Sequence, residues 1–160
     1  MIASIDNGLT GGIVILSPLG QIIAKRVMPT RKRDKNEVDI GTFRDWLVGA
    51  TGDNLLACHF VIEEPCGSKS LNAAKSMASS FHAIRGALDW KGLSWEPIRA
   101  RTWQKHFGIE KNNTKESAFE LAKSIWPDED WLRSERCVNP HDGMVDAALI
   151  GKYILETRKL

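Results

Sequence analysis

The chain has 160 residues, of which 42% are hydrophobic and 26% charged. That length supports one domain burying roughly 70% of its unfolded surface, and the composition excludes a disordered chain and a collagen-like fibre. A net charge of +2 is too small by itself to demand a nucleic-acid partner.

Residues 2–5 predict a buried strand, stopped by the turn sequence Asp6-Asn7-Gly8. Residues 12–16 predict a second strand, and the turn at 17–20 leads to a third at 21–27. The short links favour an antiparallel meander. The basic stretch 31–36 reads as a loop. Asp39 is placed to cap a helix to Ala50, with Ile40, Phe43, Leu47 and Ala50 near one face. Residues 55–62 predict a fourth strand that stops at Glu63-Glu64-Pro65, because Pro65 cannot continue a central ladder.

A long helix follows over 71–88. Its small residues (among them Ala73, Ala74, Ala78, Ala83 and Gly86) suit close packing, either on the sheet or on a second copy of the chain. Residues 93–98 predict a fifth strand. Asn113 and Glu116 form a capping box for a helix to Trp126, which Pro127 ends. The last helix is expected to start with Asn139 at N-cap, Pro140 at N1 and Asp142 at N3, and to run to Glu156. Trp95, Trp103, Trp126 and Trp131 read as packing residues. The order β-β-β-α-β-α-β-α-α predicts one α/β domain over 1–160. Its sheet has five strands, three antiparallel and then two parallel, flanked by helices.

Cys58, Cys66 and Cys137 form no CxxC pair and no even-numbered framework, as expected in a reducing compartment. No apolar run reaches the ~18 residues of a membrane span, and the first one lacks a basic lead. A soluble, cytoplasmic protein is expected. Cations crowd two stretches, from Lys25 to Lys35 and from Arg99 to Lys115. Both suit a phosphate backbone and equally suit a solvated face.

Acids stand out by placement. Asp6 ends the first strand, and Glu63 or Glu64 ends the fourth. Asp142 and Asp146 lie four apart on the last helix and share a face. Ligands bind at strand ends of open α/β sheets, so neighbouring first and fourth strands would bring Asp6 and Glu63 together. Mg²⁺ prefers such oxygen ligands. Two ions roughly 4 Å apart can clamp the attacking and leaving oxygens of a phosphoryl displacement. Each acid also has an ordinary reading: Asp6 as a turn residue, Glu63 as a solvated strand end, Asp142 as a first-turn acid favoured by the helix dipole. Asp146 has the weakest ordinary reading, because it sits among Val145, Ala147, Ala148, Leu149 and Ile150.

Five pieces in order, SIDNGLTGG, FVIEEP, RTWQKHFGI, NTKESAFELAKSIWP and PHDGMVDAALIGKY, span nearly the whole chain. Together they resemble the RuvC family of Holliday-junction resolvases, within the RNase H-like nucleases, and most of all its short phage-encoded branch. The resemblance implies that Asp6, Glu63, Asp142 and Asp146 are catalytic and metal-binding. Two Mg²⁺ ions, or Mn²⁺ in their place, would then hydrolyse phosphodiesters in four-way junctions and in other branched DNA such as forks and flaps. It implies a homodimer and products with 5′-phosphate and 3′-hydroxyl ends. Lys111 and Lys115 match family lysines that approach DNA, and Lys69, Lys75, Arg101 and Lys105 are further DNA-binding candidates. The chain departs from the pattern twice. The position three before the last aspartate, usually acidic, is Gly143, so Asp142 is preferred as fourth ligand with His141 as second choice. Cys66 stands where bacterial members often carry an aromatic residue that disturbs bases at the junction centre.

Three other readings compete. An actin-like or sugar-kinase ATPase also opens on an Asp-x-Gly turn, but this sequence carries no second glycine-rich phosphate turn. A non-catalytic module for branched DNA would leave the four placed acids unexplained, since acids in a groove weaken phosphate binding. A nuclease acting on RNA–DNA hybrids usually spaces its last ligands differently.

Overall fold

The computed structural model describes residues 1–67, 70–109 and 112–158. β1 (Ile2–Ile5) and β2 (Gly12–Leu16) are buried at every position. Strands covered on both faces read this way, as unbroken apolar runs. β3 (Ile22–Val27) pairs antiparallel with β2, and β2 antiparallel with β1. On the other side of β1, β6 (His59–Glu63) pairs parallel, and β7 (Trp95–Ile98) pairs parallel with β6. The sheet order is β3-β2-β1-β6-β7, the expected mixed α/β sheet.

Two apolar layers cover it. α1 (Ile40–Thr51) and α2 (Leu71–Trp90) lie on one face, where Phe43, Leu47, Phe81, Ile84 and Leu88 meet Ile5, Ile13, Phe60 and Ile62. α3 (Ala100–His106), α4 (Thr114–Ile125) and α5 (Asp142–Thr157) cover the other, around Val14, Leu16, Val61 and Trp103. Asp39 caps α1 as expected, its side chain accepting from the Thr42 amide at 3.3 Å. Among the described residues, no helix is long and apolar enough to cross a membrane.

Several sequence expectations change. The stretch 31–36 is not a loop but a hairpin, β4 (Thr30–Lys32) with β5 (Asn36–Val38), in which Arg31 sits opposite Glu37. Residues 52–57 form a 3₁₀ turn, so the next strand starts at His59 rather than Leu55. β7 starts at Trp95, because Gly92 at φ +66° and Leu93 are used to close α2. α3 is an additional short helix.

α5 does not start at Asn139. Pro140 is bridged to Leu132, and the His141 amide donates to the Trp131 carbonyl at 2.7 Å. His141 is therefore the N-cap and Asp142 the first helical residue. Asn113 precedes α4 as expected, but its amide bonds the Glu116 carboxylate at 2.6 Å instead of forming a backbone cap. Trp103, Trp126 and Trp131 are buried as read, and Trp95 is half-buried.

Candidate active site

The register of β1 and β6 places Ile5 beside Ile62, so the next residues, Asp6 and Glu63, leave the sheet side by side. Asp6 is held by its own turn. Its amide donates to the Gly12 carbonyl at 3.0 Å, and the Gly8 amide approaches its Oδ1 at 3.5 Å. Glu63 is held from two directions. The fully buried Trp103 donates from Nε1 to its Oε2 at 2.9 Å, and the Asn7 side-chain amide donates to its main-chain carbonyl. Glu64 turns the other way and pairs with Arg99 at 3.1 Å, which decides between the two adjacent glutamates.

α5 delivers the other acids, and glycines set how close it comes. A Cβ on Gly143 would lie 2.5 Å from the Gly11 Cα, and one on Gly12 would lie 2.5 Å from the Gly143 carbonyl. Such distances are closer than side chains tolerate, so backbone rests on backbone here. Just over two turns later, a Cβ on Gly151 would meet the Ser4 hydroxyl at 2.7 Å. This two-point seat presses the helix across β1 and β2. It also explains the departure at Gly143: no side chain fits there, and the adjacent acid is Asp142.

The electrostatics of the three inner acids are shared. Asp146 is pushed up to about 8, first by burial and then by the charges of Asp6, Glu63 and Asp142. Glu63 is pushed up to about 7 by burial and by Asp6, against the Trp103 hydrogen bond. Asp6 is pushed up to about 6, again mainly by burial, with Asp142 adding to it. Each keeps some contact with solvent, as a groove residue does, yet is crowded enough by protein to lose hydration. Asp142 lies at the rim with its side chain 44% exposed, and it forms an ion pair with Lys115. The hydrogen bond to Asp142 raises the Lys115 pKa.

Among the described residues, no three His, Cys, Asp or Glu side chains already stand close enough to cage a cation. The donor set nevertheless fits a hard divalent ion: four carboxylates supplied by β1, β6 and α5, three of them destabilised as anions first by burial and then by neighbouring acids. Beside them, the buried Asn7 Oδ1 has no hydrogen-bond partner among the described residues. The rim acid Asp142 accepts a hydrogen bond from the Lys115 ammonium. His141 is differently employed. Its Nδ1 accepts from the Met144 amide at 3.3 Å, and burial, then Arg133, lowers its pKa.

Of the basic candidates, only Lys115 is shown against the acids. Lys75 lies on α2 in a groove under the β4–β5 hairpin. Arg101 and Lys105 are exposed on α3. Lys105 precedes His106, which bonds Glu156 in the last turn of α5, some 20 Å along that helix from Asp142. Lys69 and Lys111 lie outside the described residues. Cys66 is exposed in the segment after Glu63. The sequence reading missed the supporting roles of Trp103 and Asn7. For Asn7 the available signal was a polar residue next to a strand-end acid. For Trp103 there was none, because its partner is 40 residues away.

No family model matches the sequence, and no curated protein matches it. Solved structures do match in fold. RuvC of Thermus thermophilus in complex with Holliday junction substrate superposes with a TM-score of 0.58, at 14% identity, covering 97% of this chain and 94% of that one. A second structure of Thermus thermophilus RuvC gives a TM-score of 0.57 at 14% identity, covering 97% and 95%. The chain therefore has a RuvC-like fold.

Proposed function

We propose that this chain is a metal-dependent endonuclease of the phage RuvC type that nicks four-way DNA junctions and related branched DNA. The observation that carries this reading is the convergence of Asp6, Glu63 and Asp146, from three separate elements, at the carboxyl edge of a RuvC-like sheet. An ATPase of actin-like type would need a second phosphate-binding half. A pure binding module would gain nothing from acids that repel one another and the DNA.

Asp6, Glu63, Asp142 and Asp146 would hold two Mg²⁺ ions, or Mn²⁺. Bound there, the ions supply an activated water and charge neutralisation at the departing oxygen. The protein's part is positioning. β1 and β6 fix Asp6 and Glu63 by register, and Trp103 donates to Oε2 of Glu63 and so fixes the carboxylate's orientation. Asp142, on the first turn of α5, is paired with Lys115 and would have to turn toward the inner acids to share an ion with them. The exposed Lys115 faces an incoming phosphate. A homodimer would present two such sites to opposed strands. The exposed Leu71 and half-buried Ala74 and Ala78 of α2 offer an apolar strip to a second copy.

The test is nicking of a labelled four-way junction with Mg²⁺ by wild type, Asp6→Asn and Asp146→Asn. Both variants should lose activity by at least about a hundredfold, since a lost ligand costs several kcal/mol of transition-state stabilisation. A rate within about threefold of wild type in either variant would remove that residue from the metal site. Junction binding by a wild type that never cuts would favour the binding module.

A further inference from the structure

The β4–β5 hairpin is unusual in its charge. Arg31, Lys32, Arg33 and Lys35 fall within five positions, and β4 is exposed throughout. A solvated loop could carry such a run, but this segment is built. Thr30 pairs with Val38, Arg31 with Glu37 and Lys32 with Asn36. Its base is closed by the Asp39 amide, which donates to the Pro29 carbonyl at 2.9 Å. One residue earlier, the Met28 amide donates to the carbonyl of Gly11 at 2.8 Å, and Gly11 also seats α5.

Topology fixes where the hairpin stands. β3 runs parallel to β1, so its end at Val27 lies at the same sheet edge as Asp6. α2 starts from that edge too, after β6. The hairpin and the first turns of α2 therefore rise beside the carboxylates, on the face opposite to α5. Between them runs an open groove of about 590 Å³. Its polar wall includes Arg31, Lys35, Asn36, Asn72, Lys75 and Ser76, and its one acid is Glu37. Glu37 is already engaged by Arg31 at 2.6 Å and Arg33 at 3.2 Å. Lys35 and Lys75, which line the groove, have no acid within 4.0 Å among the described residues.

We propose that the groove between the β4–β5 hairpin and α2 binds the phosphate backbone of a DNA arm beyond the scissile phosphate. The inference rests on the nuclease reading, which puts a phosphodiester at the acids. A strand crossing there has to leave on both sides. Lys115 meets it on the α5 side, and on the other side the groove is where unpaired ammonium groups and neutral donors coincide. Lysines on a rigid ribbon give sequence-independent contacts, which suit a structure-selective enzyme.

The test is anisotropy binding of a labelled junction to the full chain, without divalent metal, across a salt series. It compares wild type with the double variant Lys35→Ala, Lys75→Ala, on junctions with long arms and with truncated arms. The variant should bind the long-armed junction roughly tenfold more weakly, with a salt slope shallower by about 2, near one per lost phosphate contact. Wild type should also lose affinity on truncated arms, whereas the variant should be indifferent to arm length. Circular dichroism checks that the variant folds; if it does not, Lys35→Ala alone should still make the slope shallower by about one. An unchanged slope and a retained arm-length dependence would overturn the groove while leaving the nuclease reading intact. A changed oligomeric state with an unchanged slope would make the groove an interface between copies and would also overturn it. A wild type that neither binds nor cuts junctions would sink both readings together.

Discussion

The two strand-end acids and the rim acid of α5 are built on opposite principles. Asp6 and Glu63 are fixed by backbone register, and Glu63 also by a buried indole and a buried amide. Asp142 is the first residue of a helix, half in solvent, and is ion-paired with an exposed lysine. The first arrangement is costly: burial and repulsion push three carboxyls well above their ordinary range. The fold tolerates it because the β1–β6 ladder and the glycine seat of α5 leave those side chains nowhere else to go. The second costs almost nothing and can rearrange. On the proposed nuclease reading, a site that holds cations yet admits and releases a polymer would use both kinds of ligand.

The harshest way to break the contrast is Gly143→Ala. Its methyl would overlap the Gly11 backbone, so α5 must lift off β2 and carry Asp142 and Asp146 away. We expect a loss of about 3 kcal/mol or more. In a chain of this length that lowers the melting temperature by roughly 6 °C or more. Junction cleavage should be lost with it. A variant that melts like wild type would mean that the helix is not seated on this contact.

The next effect is a pH dependence confined to the rigid half. Asp6, Glu63 and Asp146 have folded pKa values of about 6, 7 and 8, above their ordinary 3.8, 4.5 and 3.8. The folded state thus binds protons more tightly than the unfolded chain. The stabilisation is complete below the ordinary values and is lost as pH rises through the folded ones. Without divalent ions, the melting temperature should fall steadily between about pH 5 and pH 8. Mg²⁺ should raise it again, most strongly at the upper end, where the acids are ionised and bind only in the folded state. Asp146→Asn should flatten the profile more than a change at either strand end. A profile flat in wild type and indifferent to Mg²⁺ would remove the shared-charge account.

The rigid half was also the legible half. Unbroken apolar runs gave β1, β2 and β6 their places, and an acid at the end of such a run has one direction to point. The choice between Glu63 and Glu64 was not legible, because it depends on Trp103 on one side and Arg99 on the other, 40 and 35 residues away. The start of α5 was misread because Asn139, Pro140 and Asp142 obey local capping rules, whereas Leu132 and Trp131 take residues 140 and 141 into a bridge instead. The β4–β5 hairpin was hidden by composition: Lys, Arg, Asp and Asn are poor strand formers. Its clue was an Arg31–Glu37 pair placed symmetrically about Asp34.

A finer probe of the rigid half is Trp103→Phe, which keeps an apolar ring and removes the donor to Glu63. Groups that orient metal ligands typically govern ten- to a hundredfold in affinity, so Mn²⁺ binding should weaken by about tenfold. Nicking should recover substantially at saturating metal, as expected if the indole positions Glu63 and takes no part in the chemistry. Unchanged Mn²⁺ affinity would reduce Trp103 to a packing residue.

The smallest change in stability belongs to the flexible half, and there the signs separate the roles. Lys115→Ala removes an exposed ion pair, worth at most about 1 kcal/mol, so the melting temperature should hardly move. The ammonium competes with a cation for Asp142, so in the absence of DNA the variant should bind Mn²⁺ up to about fivefold more tightly. It also meets phosphate, so junction affinity should fall and the salt slope should drop by about one. Tighter metal with weaker DNA is the signature of a side chain that guards the rim acid until substrate takes it away. If both affinities fell together, Lys115 would instead be holding Asp142 in its working position, and the rim would be as preorganised as the strand ends.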